Sequence, residues 1–419
     1  MTASYQAWLL VALLWVVALL NYVDRQVIFS LFPLLSSDLG FSSVQLGLLS
    51  TVFLWVYGFL SPVAGFVADR FGRARLITYS LLVWSVVTML TGVSSTYMQM
   101  VAARALMGIS EACYLPAALA KIAEHHGPGT RSLAVGLHQS GLYVGMIVGG
   151  AAGGWAGQHY GWRAPFLCLG AVGILYFGVV HLFFRRESHI KPESTASPRR
   201  FTAAVRELFQ LPGFTTMTIV FSGVAIANWL VYTWLPLYLY ERFQMSLASA
   251  GFTATFYIQA ASFGGIILGG LLADRWSART ARGRLYTQVC GVLLSSPFLF
   301  LLGYTSSHAL LITALVLFGA GRGFYDCNTM PVLCQIARDD LRSTGYGIFN
   351  FSGCLFGGIM AAMAGVLRGV VGLSAAFQIA AVILCVSGLL LLRIRLTPTL
   401  TQRQSQVPSP QGRVDSFSV

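Results

Sequence analysis

Six ionisable residues stand inside stretches that are otherwise apolar: Asp24, Arg25, Arg104, Glu111, Arg322 and Asp326. Their charges sum to zero. Each would cost about 2.5–3.5 kcal/mol at the centre of a membrane-spanning helix, so a set of this kind is unlikely to persist without a use. Arg104 and Glu111 are seven residues apart and return to one helix face; Arg322 and Asp326, four apart, share a face and can pair directly. The chemistry open to such a set is linked movement of protons and anions. Burial favours the protonated form of a carboxylate and a nearby guanidinium favours the ionised form. A proton on Asp24 or Glu111 therefore frees an arginine, which can then take a substrate carboxylate bidentately. Salt bridges that only hold helices in register are the competing reading. For Arg322 and Asp326 a lock between two helix bundles competes equally with a chemical role.

A weaker layer of uncharged groups surrounds these charges. Gln139 and Tyr143, and Asn350 much later, are polar within apolar runs. Tyr22, Trp229 and Tyr232, with Tyr57, Tyr257 and Gln259, stand where a central cavity would be lined. Each could contact a ligand, and each could equally serve interhelical hydrogen bonding or packing. His138 reads as a satisfied core histidine. His125-His126 falls in a polar loop without HExxH spacing, and no Gly-rich phosphate loop occurs. Neither ATP hydrolysis nor proteolysis has a supporting constellation, and no catalytic residue, metal or organic cofactor is expected. The seven cysteines all fall in apolar runs without a pairing pattern and are expected to be small buried residues.

The elements that must position these residues follow from composition. Of 419 residues 56% are apolar and 10% charged, where soluble domains carry about 25% charged residues. So few charges cannot cover a water-soluble surface, which excludes a soluble enzyme and a nucleic-acid-binding domain despite the net charge of +13. A spanning helix needs about 20 apolar residues. Such runs lie at 5–30, 43–68, 76–94, 97–122, 131–156, 163–184, 213–240, 247–272, 284–304, 308–335, 341–368 and 371–394. They are too long and too continuously apolar for a β-barrel, and the first lacks the basic flank and A-x-A site of a cleaved signal. The expectation is an all-α polytopic membrane protein with twelve transmembrane helices.

Lysine and arginine orient it. With the N-terminus inside, 21 of the 27 fall on the cytoplasmic side, and only Arg163, Arg242 and Arg368 on the other. Both termini are thus expected in the cytoplasm. Residues 185–212 have the composition of a cytoplasmic linker with a short amphipathic helix near 203–210, between bundles at 1–184 and 213–395. The Ser-, Pro- and Gln-rich tail 396–419 is expected to be disordered.

The two halves echo each other. Gly65-x-x-x-Asp69-Arg70-Phe71-Gly72-Arg73 follows the second run, and Gly270-x-x-x-Asp274-Arg275 follows the eighth, six runs later. Glu111 precedes Pro116 by five residues in the fourth run, as Asp326 precedes Pro331 in the tenth. The fifth and eleventh runs open with Arg131 to Gly136 and Arg342 to Gly347. Three echoes at one relative position argue for a duplicated six-helix unit.

On these residues the chain resembles the major facilitator superfamily, whose cytoplasmic signature is matched at Gly65–Arg75 and more weakly at Gly270–Arg275. The resemblance implies two pseudo-symmetric six-helix bundles rocking about a midplane site, with Asp69 pairing across a gate and Arg73 serving either that gate or plain positive-inside topology. Asn21-Tyr22-Val23-Asp24-Arg25 together with Arg104 to Glu111 is similar to the anion:cation symporter family of organic-anion transporters, and also to spinster-type lipid transporters. The former implies proton carriage by Asp24 and Glu111, with Arg25 and Arg104 beside them and amides near Gln139 and Asn350 on substrate hydroxyls. The fifth run, Gly141-x-x-x-Gly145-x-x-x-Gly149-Gly150, lacks the Gly-Pro pair of drug/proton antiporters. The resulting expectation is proton-coupled symport of a sugar acid or other small carboxylate by a monomer in a bacterial inner membrane. A spinster-like transporter of lysolipids or sphingoid lipids is the alternative.

Overall fold

The computed structural model of the protein describes residues 3–127, 130–185, 201–338 and 341–394, with 3–4, 62–71 and Ser132 described by backbone alone. Part of the expected linker and all of the expected tail from 396 lie outside the described residues. Among the described residues every regular element is an α-helix. The first half holds α1 (Ala3–Ser30), α2 (Phe32–Leu39), α3 (Ser43–Phe71), α4 (Arg73–Val93), α5 (Tyr97–Ala112), α6 (Tyr114–His125), α7 (Arg131–Tyr160) and α8 (Arg163–Arg185). After α9 (Phe201–Gln210), the second holds α10 (Phe214–Arg242), α11 (Leu247–Ser277), α12 (Gly283–Tyr304), α13 (His308–Ile336), α14 (Arg342–Val370) and α15 (Leu373–Leu391).

The twelve expected runs are all present, with one division. The fourth is two helices, α5 and α6, broken at Cys113. Pro116 has no N–H to give the carbonyl four residues back, and its ring crowds that turn, so the helix breaks just after Glu111. With α5 and α6 taken together as one span, eleven of the twelve are apolar enough to cross a membrane. The twelfth, α7, carries eight glycines and the polar run His138-Gln139-Ser140. Local signals end the helices as physical chemistry requires. Thr96 and Gln99 form a capping box at the start of α5, and Gly72 supplies the φ of +89° at which α4 begins.

Packing repeats between the halves. In the first, α1 lies on α7, α3 on α5, and α4 on α8; in the second, α10 lies on α14, α11 on α13, and α12 on α15. The halves meet along two seams, α3 with α14 and α7 with α11. A two-fold axis relating the halves exchanges these seams, as the duplicated sequence requires. This is the pseudo-symmetric pair of six-helix bundles of the major facilitator fold.

Glycine sets how close the helices come. A Cβ on Gly141, Gly145 or Gly149 of α7 would stand 2.8, 2.5 or 2.8 Å from the carbonyl oxygens of Trp15, Leu19 and Val23 on α1. The four-residue period on both helices makes a ladder of backbone contacts that only glycine permits. It fixes α1, with Asp24 and Arg25, against α7. At the seam between halves, Gly150 approaches Gly251 of α11 in the same way.

One row of polar contacts runs along the α3–α14 seam and onto α10. Arg368 of α14 donates to the Ser43 hydroxyl of α3 and grips Glu241 of α10 with Nη2–Oε1 at 2.5 Å. Further along, Ser50 meets Thr233 at 3.1 Å, Thr51 donates to the Gly358 carbonyl at 2.7 Å, and the Trp55 indole to the Leu355 carbonyl at 3.1 Å. The Trp234 indole of α10 donates to Ala361 of α14 at 2.9 Å. Three carbonyls spaced at 355, 358 and 361 thus each take a donor from another helix. A cavity of about 490 Å³ lies at the Arg368 end, lined by Ser43, Tyr238, Glu241, Arg242 and Arg368, away from the buried charges.

Two sequence expectations are corrected. All seven cysteines are free, but only Cys354 is buried, and Cys168 and Cys290 are exposed; they lie on α8 and α12, where an apolar face can meet lipid instead of protein. His125 ends α6, and only His126 falls in the loop that follows. It is buried, packs edge-on to Trp8 and lies 3.3 Å from the Ala7 carbonyl.

Candidate functional site

The first-half charges form one buried cluster. Arg25 donates from Nε to Glu111 Oε2 at 2.5 Å, and Glu111 is wholly buried. The guanidinium of Arg25 is wrapped by rings, with Tyr57 at 4.5 Å, Tyr22 at 4.8 Å and Phe53 at 5.1 Å from its central carbon. Aromatic faces attract a desolvated cation and keep it charged without a second carboxylate. Asp24, also buried, lies beside Thr88 within electrostatic reach of Glu111 and Arg104.

Arg104 does not pair with Glu111, although the two share a helix face. Seven residues span about 10 Å of helix axis, beyond the reach of a direct contact. Arg104 instead stacks over Phe53 at 4.6 Å and donates from Nε to the Leu49 carbonyl at 3.4 Å. Its Nη2 is buried with no hydrogen-bond partner. Glu111 Oε1 and the Asn21 amide nitrogen, which flanks that carboxylate, are also without well-aligned partners. Unsatisfied buried donors and acceptors of this kind cost about 1–3 kcal/mol each, which a ligand or water at the cluster can recover.

The second-half pair forms as its spacing allows, with Arg322 Nε 3.2 Å from Asp326 Oδ2. Arg322 also donates to Gln259 of α11 at 3.2 Å and lies over the Tyr232 ring at 5.1 Å. Among the described residues these polar contacts stay inside the second half. A lock between bundles, one reading open to the sequence, is therefore not what this pair makes. Tyr143 of α7 lies within electrostatic reach of both Arg322 and Asp326.

The remaining candidates divide. Asn350 donates to the Ser61 hydroxyl at 3.3 Å across the α3–α14 seam. Gln139 keeps a buried Oε1 without a partner. Trp229 packs over Gly357 and meets Tyr232 edge-on at 5.8 Å. His138 is a core histidine, buried and 2.9 Å from the Tyr114 hydroxyl. Of the signature residues, Gly65, Asp69 and Arg70 fall in the stretch whose side chains lie outside the described ones. Gly72 begins α4, and Arg73 pairs with Glu124 of α6 within the first half. Asp274 and Arg275 are exposed at the end of α11, Asp274 with Arg284 at 3.3 Å, and Gly270 faces open space. Phe53, Ser61 and Thr88 had no sequence signal, because an unremarkable side chain becomes a site neighbour only once helices are packed.

The Major Facilitator Superfamily profile matches residues 14–362, and again 282–416. This chain belongs to that superfamily. It is a multi-pass membrane transporter and not an enzyme. A probable galactarate/D-glucarate transporter of Escherichia coli is 27% identical over 397 residues, covering 87% of each chain. An MFS-type efflux pump of Mycolicibacterium smegmatis is 26% identical over 363 residues, covering 86% of this chain and 84% of that one. Among solved structures, a bacterial homolog of the lysosomal transporter Spinster, inward-facing and occupied, superimposes with a TM-score of 0.79 at 19% identity, covering 94% and 97% of the two chains. That likeness is one of fold.

Proposed function

We propose that this protein is a proton-coupled symporter of a small organic anion, a sugar acid or other carboxylate, working by alternating access in a bacterial inner membrane with both termini cytoplasmic. The observation that carries the reading is the buried Arg25–Glu111 pair, sealed under aromatic rings beside a second buried acid, Asp24. While Glu111 is ionised it occupies Arg25. A proton on Glu111 removes that competitor, and Arg25 becomes available to a substrate carboxylate. Proton and anion then enter the site together, and the charge of the cluster is conserved. Arg104, with a buried donor free, adds a second anchor, and Gln139, Tyr143 and Asn350 supply hydrogen bonds to hydroxyls. Tyr22, Trp229 and Tyr232 line the space between. The coupling ion is the proton, with no other cofactor, and the working unit is the monomer.

The side held by Ser43, Glu241 and Arg368 is the external face under the positive-inside reading, so in this arrangement the external ends of the halves are tied together. The kinship with sugar-acid transporters supports the substrate class. A spinster-like lipid transporter has fold likeness on its side and no observation at the site. The deciding experiment is uptake of sugar acids into proteoliposomes under an inward proton gradient. Gradient-driven uptake is expected in the wild type and lost in Asp24→Asn and Glu111→Gln. Undiminished gradient-driven uptake in both variants would overturn proton coupling through these acids.

A further inference from the structure

The symport reading leaves Arg322 unused, and among the described residues its one hydrogen-bonded tie to another helix is Gln259. Asp326 lies on the same helix, so their contact joins no two helices. The contact is also oblique: Arg322 Nε, though near Asp326, makes no well-aligned hydrogen bond. The Asp326 side chain is 30% exposed where Glu111 is 0%, so a ligand carboxylate can compete for Arg322 from the open side. Close by, the Tyr232 hydroxyl is buried and has no partner.

Contacts between the halves connect the two charged clusters. Tyr22 lies against Arg25 at 4.8 Å and is within electrostatic reach of Arg322. The Gln26 amide, one residue after Arg25, donates at 3.5 Å to the carbonyl of Tyr232, whose ring lies beneath Arg322. Gln259, which holds Arg322, reaches Met146 of α7 at 2.8 Å, one turn along from Tyr143. A ligand held between the halves thus meets one guanidinium from each.

We infer that Arg322 is a specificity-determining residue that reads the far end of the substrate and requires an anionic group there, so that the preferred ligand is a dicarboxylate spanning Arg25 of one half and Arg322 of the other. This rests on the organic-anion reading above and deepens it. A ligand with one carboxylate satisfies Arg25 alone and leaves a hydroxyl before Arg322, still held by Asp326. A ligand with two draws both halves onto itself, which links occupancy to their relative position.

The test compares two six-carbon acids that differ at one end, galactarate with two carboxylates and galactonate with one, by binding to the purified full-length protein. The wild type is expected to bind galactarate at least about tenfold more tightly, about 1.4 kcal/mol. Arg322→Gln should weaken galactarate to the level of galactonate and leave galactonate unchanged. Asp326→Asn, which removes the competitor and keeps the arginine, should raise the ratio, and decides the matter even if Arg322→Gln does not fold. Equal weakening of both acids by Arg322→Gln, or an unchanged or lower ratio in Asp326→Asn, would overturn the inference. Wild-type preference for galactonate would overturn it while leaving anion symport standing. Binding of neither acid would overturn the anion reading itself.

Discussion

Arg25 and Glu111 are 86 positions apart in the chain and 2.5 Å apart in space, whereas Arg104, on Glu111's own helix, spends its guanidinium on a phenyl ring and a backbone carbonyl. The two first-half arginines therefore have separable jobs. One is hydrogen-bonded to the buried acid, and the other is held by different partners and reaches that acid only through space.

Breaking the Arg25–Glu111 pair from one side should be worse than removing it whole. Arg25→Gln leaves a buried carboxylate without its cation, and loss of one partner of a buried pair costs about 3–5 kcal/mol. Arg25→Gln with Glu111→Gln is expected to recover most of that loss without recovering transport. Thermal unfolding in detergent, followed by tryptophan fluorescence, measures the cycle; strictly additive losses would mean the two side chains are energetically independent.

Arg104 should not tolerate lysine. An ammonium keeps the charge but loses the flat face over Phe53 and the fork that aims Nη2 into the site. With such stacking worth about 1–2 kcal/mol when desolvated, substrate affinity in Arg104→Lys should fall about tenfold. Equilibrium binding of the transported acid checks this, and unaltered affinity would show that charge alone suffices.

The α1–α7 ladder makes two glycines of one helix behave oppositely. Gly145→Ala drives a methyl against the Leu19 carbonyl at 2.5 Å, while Gly136→Ala meets open space. The first should cost about 1–3 kcal/mol as overpacking; the second should be neutral or stabilising by up to about 1 kcal/mol through helix propensity. Melting temperatures of the two variants are the readout, and similar values would refute the ladder.

Closure at the Arg368 end should be trappable. Arg368 of α14 donates to Ser43 of α3, so cysteines at both positions in a background without native cysteines should be joined by a reducible bifunctional thiol reagent long enough to replace the arginine side chain, since a direct disulfide needs Cα atoms within about 7 Å, and uptake should then stop. Reduction should restore it. Transport continuing with the crosslink complete would show that this face need not part.

Much of this was legible in the sequence because it depends on local spacing: the twelve apolar runs, the echo between halves, the i,i+4 pair at Arg322 and Asp326, and the short helix expected near 203–210, which spans Phe201–Gln210. What escaped depends on which helix lies against which. A seven-residue spacing gives Arg104 and Glu111 a common face without giving them a partner, and only the tertiary fold, in which the long Arg25 side chain of α1 reaches the end of α5, delivers a cation to Glu111. The cysteines show the same limit, since an apolar run does not say which of its sides meets lipid and which meets protein. The break after Glu111 was within reach, because Pro116 was in view and its missing amide predicts an interrupted turn.

The three carbonyls of α14 that take outside donors, on Leu355, Gly358 and Ala361, have a mechanical consequence. Each already belongs to its own helix, and an oxygen drawn toward a second donor lengthens its bond to the amide four residues on, which curves the axis. Two of those donors come from α3 and one from α10, so the helix is pulled from both halves along one strip. In the rocking that the proposal calls for, this strip of α14 must either part from its α3 donors or bend with them, whereas the contacts that Gly141, Gly145 and Gly149 of α7 make on α1 lie within one half and need not change.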